Sequence, residues 1–150
     1  MIWIKRDRGD FRMTAALLVA MASVNLPLAS NAANIPRQNL ERMFDQMQRQ
    51  SHWDISKPLL WGYFFVNPTR EPLDRAAPLL SAMGYQVVKI YLADKKSASA
   101  PDQWWLHIER VEVHTVDSLD ARNHEFNDFA ASHGIAVYDG MDVGPASGTP

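Results

Sequence analysis

Residue types that could do chemistry are present, but they do not fall into catalytic spacings. None of the five histidines stands four residues from another, the helical spacing that presents two ligands to a zinc ion. Ser51, His52 and Asp54 supply the residue types of a hydrolytic triad, yet a triad is defined by tertiary geometry and not by adjacency. We therefore predict that this stretch is a connector. The chain has no cysteine, which excludes a thiolate nucleophile, a disulfide and a cysteine-ligated metal.

The acidic residues near the predicted third strand do not form an obvious acid–base pair. Glu109, Glu112 and Asp117 are expected to be solvated, and nothing in their spacing indicates perturbed pKa values. A glycine-rich phosphate loop and a Gly-x-Ser-x-Gly elbow are both missing from the sequence. We predict no catalytic residues, no cofactor, no bound metal and no small-molecule substrate.

The elements that would position any site alternate between strands and helices. Residues 59–66 form an uncharged, aromatic-rich run between Pro58 and Asn67, which predicts a strand buried on both faces. Further strands are predicted over 85–92, 104–114 and 135–138, the last closed by Asp139-Gly140. Helices are predicted over 34–50, over 70–83 and from Asp117 or Ser118 to 133. Pro78 predicts either a kink in the second helix or a regular part that begins near residue 75.

The order of these elements predicts the architecture. After the leading helix, two βαβ units joined by a hairpin indicate an α+β, ferredoxin-like βαββαβ antiparallel sheet with two helices on one face plus an extra N-terminal helix. The first and third strands are expected at the centre, and the leading helix over an edge or the otherwise open face. The aromatic side chains predicted to pack in the core beneath that helix are Trp61, Tyr63, Phe65, Trp104 and Trp105. The third strand is expected to leave the core at its charged end.

The two ends of the chain differ in composition from the domain between them. Residues 1–33 combine a basic start with an apolar run of about 16 residues, shorter than the roughly 20 that span a bilayer, and small residues at a cleavage position after Ala32. We predict a signal peptide or N-terminal hydrophobic leader, with a membrane anchor and an ordinary soluble leader as alternatives. Residues 34–144 form the α+β domain, and 145–150 are predicted to be a disordered tail. A real signal implies an exported, periplasmic protein.

Charge argues against nucleic acid as the partner. Residues 34–150 carry 11 basic and 15 acidic side chains, a net charge of −4, which repels phosphate. The run Phe64-Phe65-Val66-Asn67-Pro68 superficially resembles the first motif of an RNA recognition module, whose exposed aromatics stack on bases. The third strand lacks the matching basic-glycine-aromatic pattern and ends in Glu109 and Glu112. RNA binding is therefore the weaker alternative, and contact with a membrane is expected only if the leader stays uncleaved.

Several motifs, in order, resemble one protein family. They are Tyr63-Phe64-Phe65 on the first strand, Met83-Gly84-Tyr85 after the second helix, Trp105-Leu106 on the third strand, Phe126 and Phe129 on the last helix, and Tyr138-Asp139-Gly140 at the end. Together they resemble the regulator of ribonuclease E activity B (RraB) family over about residues 36–144. Met141 stands where the family usually has a tryptophan, and the acidic tail of the founding type is missing.

The resemblance implies a function without catalysis. It implies a protein-binding regulator that inhibits a partner such as ribonuclease E by direct contact, with no enzyme activity and no cofactor. It also makes Tyr138, Asp139, Gly140 and Met141 the family-motif residues and candidates for partner binding. A cytoplasmic location follows from the family, whereas the leader predicts export. The second candidate is therefore an exported protective, immunity-type binding protein.

Overall fold

The computed structural model describes residues 35–50 and 53–146. The predicted leader, Asn34 of the predicted first helix, Ser51 and His52 of the predicted connector, and the last four residues of the predicted tail lie outside the described residues. The helices are α1 (Arg37–Gln50), α2 (Glu71–Ala82) and α3 (Val116–Ser132), and the strands are β1 (Leu59–Asn67), β2 (Gln86–Leu92), β3 (Trp104–Glu112) and β4 (Val137–Pro145).

The four strands form one antiparallel sheet in the order β2-β3-β1-β4. This order places the first and third strands at the centre and the second and fourth at the edges, as predicted for a ferredoxin-like sheet. The α+β architecture with an additional N-terminal helix is thus confirmed. In the central pair Tyr63 stands opposite Ile108, and Phe64 opposite His107. Because neighbouring residues on a strand point to opposite faces, this register assigns each side chain to one face of the sheet.

All three helices lie on the face that carries Trp61, Tyr63 and Phe65. These three side chains are at most 1% exposed and share one core with buried residues of α2 and α3. Phe44 of α1 stacks on Trp61, with ring centroids 6.2 Å apart, so the predicted core beneath the leading helix is confirmed for Trp61, Tyr63 and Phe65. It is wrong for Trp105, which contacts Phe64 on the opposite face of the sheet. The alternative placement of that helix over the open face is wrong, because its buried stripe packs into this same core. Arg37 of α1 also pairs with Asp117 of α3.

Helix α2 corrects one expectation about proline. The helix begins at Glu71 with Pro72 in its first turn, and Pro78 lies inside it. A regular part that begins near residue 75 is therefore wrong. Leu73 and Leu80, both fully buried, anchor the helix to the core on either side of Pro78. Their burial offsets the cost of the hydrogen bond that proline removes.

Helix α3 begins earlier than predicted, because its cap is Thr115 and not Asp117 or Ser118. The Thr115 hydroxyl accepts a hydrogen bond from the Ser118 backbone N–H at 3.2 Å, and the Ser118 hydroxyl accepts one from the Thr115 N–H at 2.9 Å. This reciprocal pair is a capping box, with serine in the place usually taken by glutamate or glutamine. The helices α2 and α3 are followed closely by Gly84 and Gly134, both with positive φ, a conformation that is common after the last residue of a helix.

Strand β4 is nine residues long and does not end at Tyr138. The predicted closing turn at Asp139-Gly140 is instead a bulge, since Phe65 pairs with Tyr138 while Phe64 pairs with Gly140. Gly140 has a φ of +101°, a conformation that glycine adopts readily, and the extra residue lets the strand continue. Pro145 belongs to this strand and not to the predicted tail.

Candidate functional site

The sheet face opposite the three helices carries a row of aromatic side chains. Phe64 of β1 stacks on His107 of β3, with ring centroids 4.5 Å apart and planes 19° apart. Trp105, next along the same face of β3, contacts Phe64 at 6.2 Å and lies parallel to Tyr91 of β2 at 6.4 Å. We call Phe64, Tyr91, Trp105 and His107 the aromatic row. All four are half-buried, and no described helix covers them.

Three carboxylates share this face, and we call Glu109, Asp139 and Asp142 the carboxylate cluster. Glu109 and Asp142 are the register partners of Gly62 on its two sides. Gly62 leaves space for its neighbours, because a Cβ there would lie 2.3 Å from Asp142 Oδ1 and 2.9 Å from His107 Nε2. His107 Nε2 is also 3.5 Å from Glu109 Oε1. The missing side chain of Gly62 thus lets acidic and aromatic groups meet over the central strand.

Electrostatics connect the cluster with the row. Burial raises the pKa of Tyr91, and the negative charges of Asp139 and Asp142 raise it further. Burial of its carboxyl group likewise raises the pKa of Asp139, although the residue as a whole is exposed. A cation already lies on this face, since Lys89 Nζ is 4.3 Å from the centre of the Tyr91 ring. Among the described residues, this face therefore brings aromatic rings, three carboxylates and the Lys89 ammonium close together.

A second group of polar side chains surrounds Glu112 at the end of β3. Glu112 Oε1 accepts a hydrogen bond from the Tyr63 hydroxyl at 2.6 Å and lies 3.2 Å from Arg122 Nη1, while Oε2 accepts from Arg110 at 2.6 Å. His114 Nε2 is 3.2 Å from Oε1, and its Nδ1 is 2.9 Å from the Ser118 hydroxyl.

The Glu112 group corrects two expectations about the third strand. The charged end of β3 does not leave the core, because the Glu112 side chain is only 14% exposed. The Glu109 side chain is 13% exposed, so it is not solvated as predicted. Burial alone would raise the pKa of Glu112, but hydrogen bonds from His114, Arg110 and Tyr63, and the charge of Arg122, lower it to about 2. Asp117 is exposed as predicted.

Chemically, the Glu112 group is suited to holding the fold together and not to proton transfer. A carboxylate with such a low pKa stays charged at neutral pH and cannot act as a general acid. Burial and the bond to Glu112 raise the pKa of Tyr63, so its hydroxyl keeps its proton. Each partner also belongs to a different part of the core, since Tyr63 lies on β1 and Arg122 on α3.

The family-motif residues occupy very different environments. Tyr138 is 1% exposed, and its hydroxyl donates to Asn123 Oδ1 at 2.7 Å, so this side chain belongs to the core. Gly140 forms the bulge, and Met141 is half-buried against the core opposite Tyr63. Asp139 alone of the four is exposed, and it joins the carboxylate cluster. A role of these four residues in partner binding stays a prediction. Asp139 is the one whose side chain a partner could reach most easily.

Sequence reasoning missed most of the open face. Phe64 and Trp105 could have been found from strand alternation, because the face opposite Trp61, Tyr63 and Phe65 on β1 must hold Phe64. Tyr63 and Trp105, both predicted to be core side chains, lie on opposite faces of the sheet. Tyr91 and Asp139 could not be assigned in this way, since bulges at Val88 and at Asp139 reverse the alternation in both edge strands.

The described residues show no other specialised site. They contain no group of three histidine, aspartate or glutamate side chains placed to hold a metal ion. Within 35–50 and 53–146, no helix has the length and apolar character needed to cross a membrane.

Comparison with protein families decides the relationship. Residues 37–143, more than two thirds of the chain, match the family described as Regulator of ribonuclease activity B, RraB. The chain belongs to the RraB family. The resemblance seen in the motifs is thus confirmed, and the matched region covers all seven helices and strands except the last two residues of β4. Comparison with curated proteins gave no significant match. RraB is a family of regulators, and this places the chain among proteins that act on a ribonuclease's activity.

Proposed function

We propose that this RraB-family chain is a non-enzymatic regulator that inhibits a ribonuclease, with ribonuclease E as the first candidate, by direct protein–protein contact. Family membership supports regulation of a ribonuclease. The open sheet face supports direct contact, because it offers half-buried aromatic rings with no described helix over them. Aromatic side chains are enriched at the centres of protein interfaces, where they contribute large contact areas.

The observation that carries the proposal is the aromatic row on the sheet face that no described helix covers. The sheet is fixed from its other side by the shared core of three helices, so Phe64 and Trp105 are held in place before a partner arrives. A preorganised surface loses little side-chain entropy on binding. The Glu112 group lies on the helix side of the sheet and is satisfied internally, which leaves the open face as the better candidate for contact.

The test is a cleavage assay with purified ribonuclease E and a labelled RNA substrate. We expect the cleavage rate to fall as the chain is added, and the two proteins to co-migrate in size-exclusion chromatography. A Trp105→Asp variant should lose both effects, because it places a charge in the centre of the aromatic row. Asp128→Asn, on the exposed side of α3, is the matched control and should behave as wild type. If a large molar excess of the chain leaves the cleavage rate unchanged and the two proteins do not co-migrate, the proposal is contradicted.

The leader favours a second candidate, an exported binding protein that protects its cell by neutralising a toxic partner. A basic start, an apolar run and a cleavage position at residues 1–33 are the features that support export. Cell fractionation and N-terminal sequencing distinguish the two candidates. A mature chain that starts at Ala33 in the periplasm favours the protective function, whereas an intact cytoplasmic chain favours regulation of ribonuclease E.

A further inference from the structure

We propose that two copies of this chain form a dimer through their open sheet faces, related by a two-fold axis that runs parallel to the strands. The inference goes beyond the proposed function, because the dimer needs no ribonuclease. It follows from the register of the sheet, which places complementary side chains on the two halves of one face.

The position of the axis determines which strands face each other. The sheet order is β2-β3-β1-β4, and the axis runs along the middle of the face, between β3 and β1. It places β2 over the partner's β4 and β3 over the partner's β1, and it leaves each position along the strands unchanged. In a two-fold contact every such pairing occurs twice, once in each direction. A face fits a second copy of itself when each register row across it carries complementary groups on its two halves.

One register row carries opposite charges at its two ends. Lys89 of β2 is in register with His107 of β3, which is in register with Phe64 of β1. Phe64 is in register with Gly140 of β4, which follows Asp139 at the bulge. The backbones of Lys89 and Asp139 thus stand about 14 Å apart within one copy, a distance of three strand spacings. In the dimer each Lys89 lies over the partner's Asp139, and two ion pairs form.

The next row is apolar from edge to edge. Tyr91 of β2 is in register with Trp105 of β3, and Val66 of β1 connects Trp105 with Val137 of β4. In the dimer Trp105 lies over the partner's Val66, and Tyr91 lies over the partner's Val137. Flat rings thus meet branched aliphatic side chains, a combination that packs well between sheets.

The row at the other end of the face contains an exposed apolar side chain. Val111 of β3 is 52% exposed. Its register partner on β1 is Leu60, and Leu60 is in register with Gly144 of β4. In the dimer Val111 lies over the partner's Leu60, so both side chains leave water.

The remaining row keeps carboxylates apart and selects the axis. Gln86, Glu109, Gly62 and Asp142 are in register across the sheet. In the dimer Glu109 lies over the partner's Gly62, which has no side chain, and Asp142 lies over the partner's Gln86. An axis across the strands would instead place β4 over the partner's β4 and bring the acidic side chains of two copies together. Like charges in contact oppose association, so the axis along the strands is favoured.

The size of the face suits a reversible dimer. The central strands β1 and β3 have nine residues each. At the usual spacings of residues and strands, four such strands cover roughly 600 Å². A standard interface buries about 800 Å² of each partner, so this contact is at the small end of the range. Two sheets also pack face to face most readily with their strands nearly aligned, as this axis requires. We therefore expect a dimer that dissociates on dilution.

The dimer has a regulatory consequence, which rests on the proposed function. The aromatic row cannot contact a ribonuclease and a second copy of the chain at the same time. Self-association therefore competes with inhibition, and dilution of the chain frees the face for its target.

The first experiment is sedimentation equilibrium of the full chain over a wide range of concentrations. We expect a monomer–dimer equilibrium that Lys89→Glu and Asp139→Lys each weaken about tenfold, because each variant replaces both ion pairs by repulsion. The double variant Lys89→Glu/Asp139→Lys restores opposite charges and should dimerise as wild type. Lys96→Glu, exposed in the loop after β2, changes the net charge equally and is the matched control. Circular dichroism checks that each variant is folded.

Three outcomes of this experiment would overturn the inference. The first is a full chain that stays monomeric at every concentration, as expected if its own residues 1–33 cover the open face. The second is a double variant that dimerises no better than the single variants. The third is an equal loss of dimer in Lys96→Glu.

Crosslinking tests the direction of the axis. The chain has no cysteine, so a single introduced thiol reacts at one known position. A short bis-maleimide reagent should link Lys89→Cys chains to Asp139→Cys chains in a mixture of the two, because these positions face each other. Efficient crosslinking within Lys89→Cys alone, with none in the mixture beyond it, would show that β2 faces the partner's β2 and would refute the proposed axis.

Ribonuclease assays distinguish this inference from the proposed function. If the full chain dimerises as expected but leaves ribonuclease E active at every dilution, the dimer stands and the proposed function fails. If the chain is monomeric and inhibits ribonuclease E, the regulatory function stands and the dimer is refuted.

Discussion

Replacing Glu112 with glutamine should make the stability of the domain depend less on pH. The Glu112 side chain is 14% exposed, and its pKa falls from an ordinary 4.5 to about 2 through its contacts with His114, Arg110, Tyr63 and Arg122. The difference between those two pKa values corresponds to about 3 kcal/mol of folding free energy at neutral pH. Glu112→Gln keeps the shape of the side chain, removes the charge, and should cost about that much at neutral pH.

The sign follows from the direction of the pKa change. A carboxyl group whose pKa is lower in the folded state binds fewer protons there, so its stabilisation is complete above its unfolded pKa and is lost as the pH falls. Between about pH 6 and about pH 3, wild type should lose about 2 kcal/mol of this contribution. The Glu112→Gln variant lacks the titrating group. The difference in unfolding free energy between wild type and this variant should therefore fall to about 1 kcal/mol at about pH 3.

Urea unfolding followed by circular dichroism, repeated across this pH range, measures this difference. Glu125→Gln is the matched control, because Glu125 pairs with the same Arg122 at 3.0 Å but is 51% exposed. An exposed pair contributes little, so this control should differ from wild type by less than about 1 kcal/mol. If the difference in unfolding free energy between wild type and Glu112→Gln stays constant from neutral to acidic pH, the stabilisation does not come from the Glu112 charge.

Three further substitutions test local geometry by urea unfolding. Thr115→Ala removes the cap of α3 and should cost about 1 kcal/mol, while Thr115→Ser should cost much less, and equal costs would contradict the capping box. Gly140→Ala should destabilise by about 1–2 kcal/mol, because alanine resists the positive φ of the bulge, and an unchanged unfolding midpoint would argue against that conformation. Gly62→Ala should displace Asp142 and His107 and destabilise the domain by about 1–3 kcal/mol, whereas an unchanged unfolding midpoint would contradict the close approach of these side chains.

The topology of the fold was predictable because its signals are local and repeated. The central strands follow from the uncharged run at 59–66, two amphipathic helices and the βαββαβ order. Strand alternation correctly predicts that Trp61, Tyr63 and Phe65 share one buried face. Element ends were harder to predict. The capping box at Thr115 uses an unusual serine, and the Asp139-Gly140 pair reads as a turn although it forms a bulge in a longer strand.

The open face was less predictable than the core, for a physical reason. Its membership depends on register between strands that are distant in sequence, and one bulge reverses the assignment of every residue beyond it. Glu112 shows the same limit. A carboxylate at the end of a strand is predicted to be solvated. The burial of Glu112 becomes favourable only because the folded chain brings Tyr63, Arg110 and Arg122 within bonding distance of it.

The irregular edges of the sheet have a consequence for recognition. Strand β2 is bulged around Val88 and bears Lys89, and strand β4 is bulged at Asp139 and ends in Pro145. Such edges resist the addition of a further strand from another molecule, so a partner gains little from main-chain hydrogen bonding there. Selectivity then resides in the side chains of the flat face. These side chains can be substituted without disturbing the backbone, so the same fold can change its binding partner while its structure is conserved.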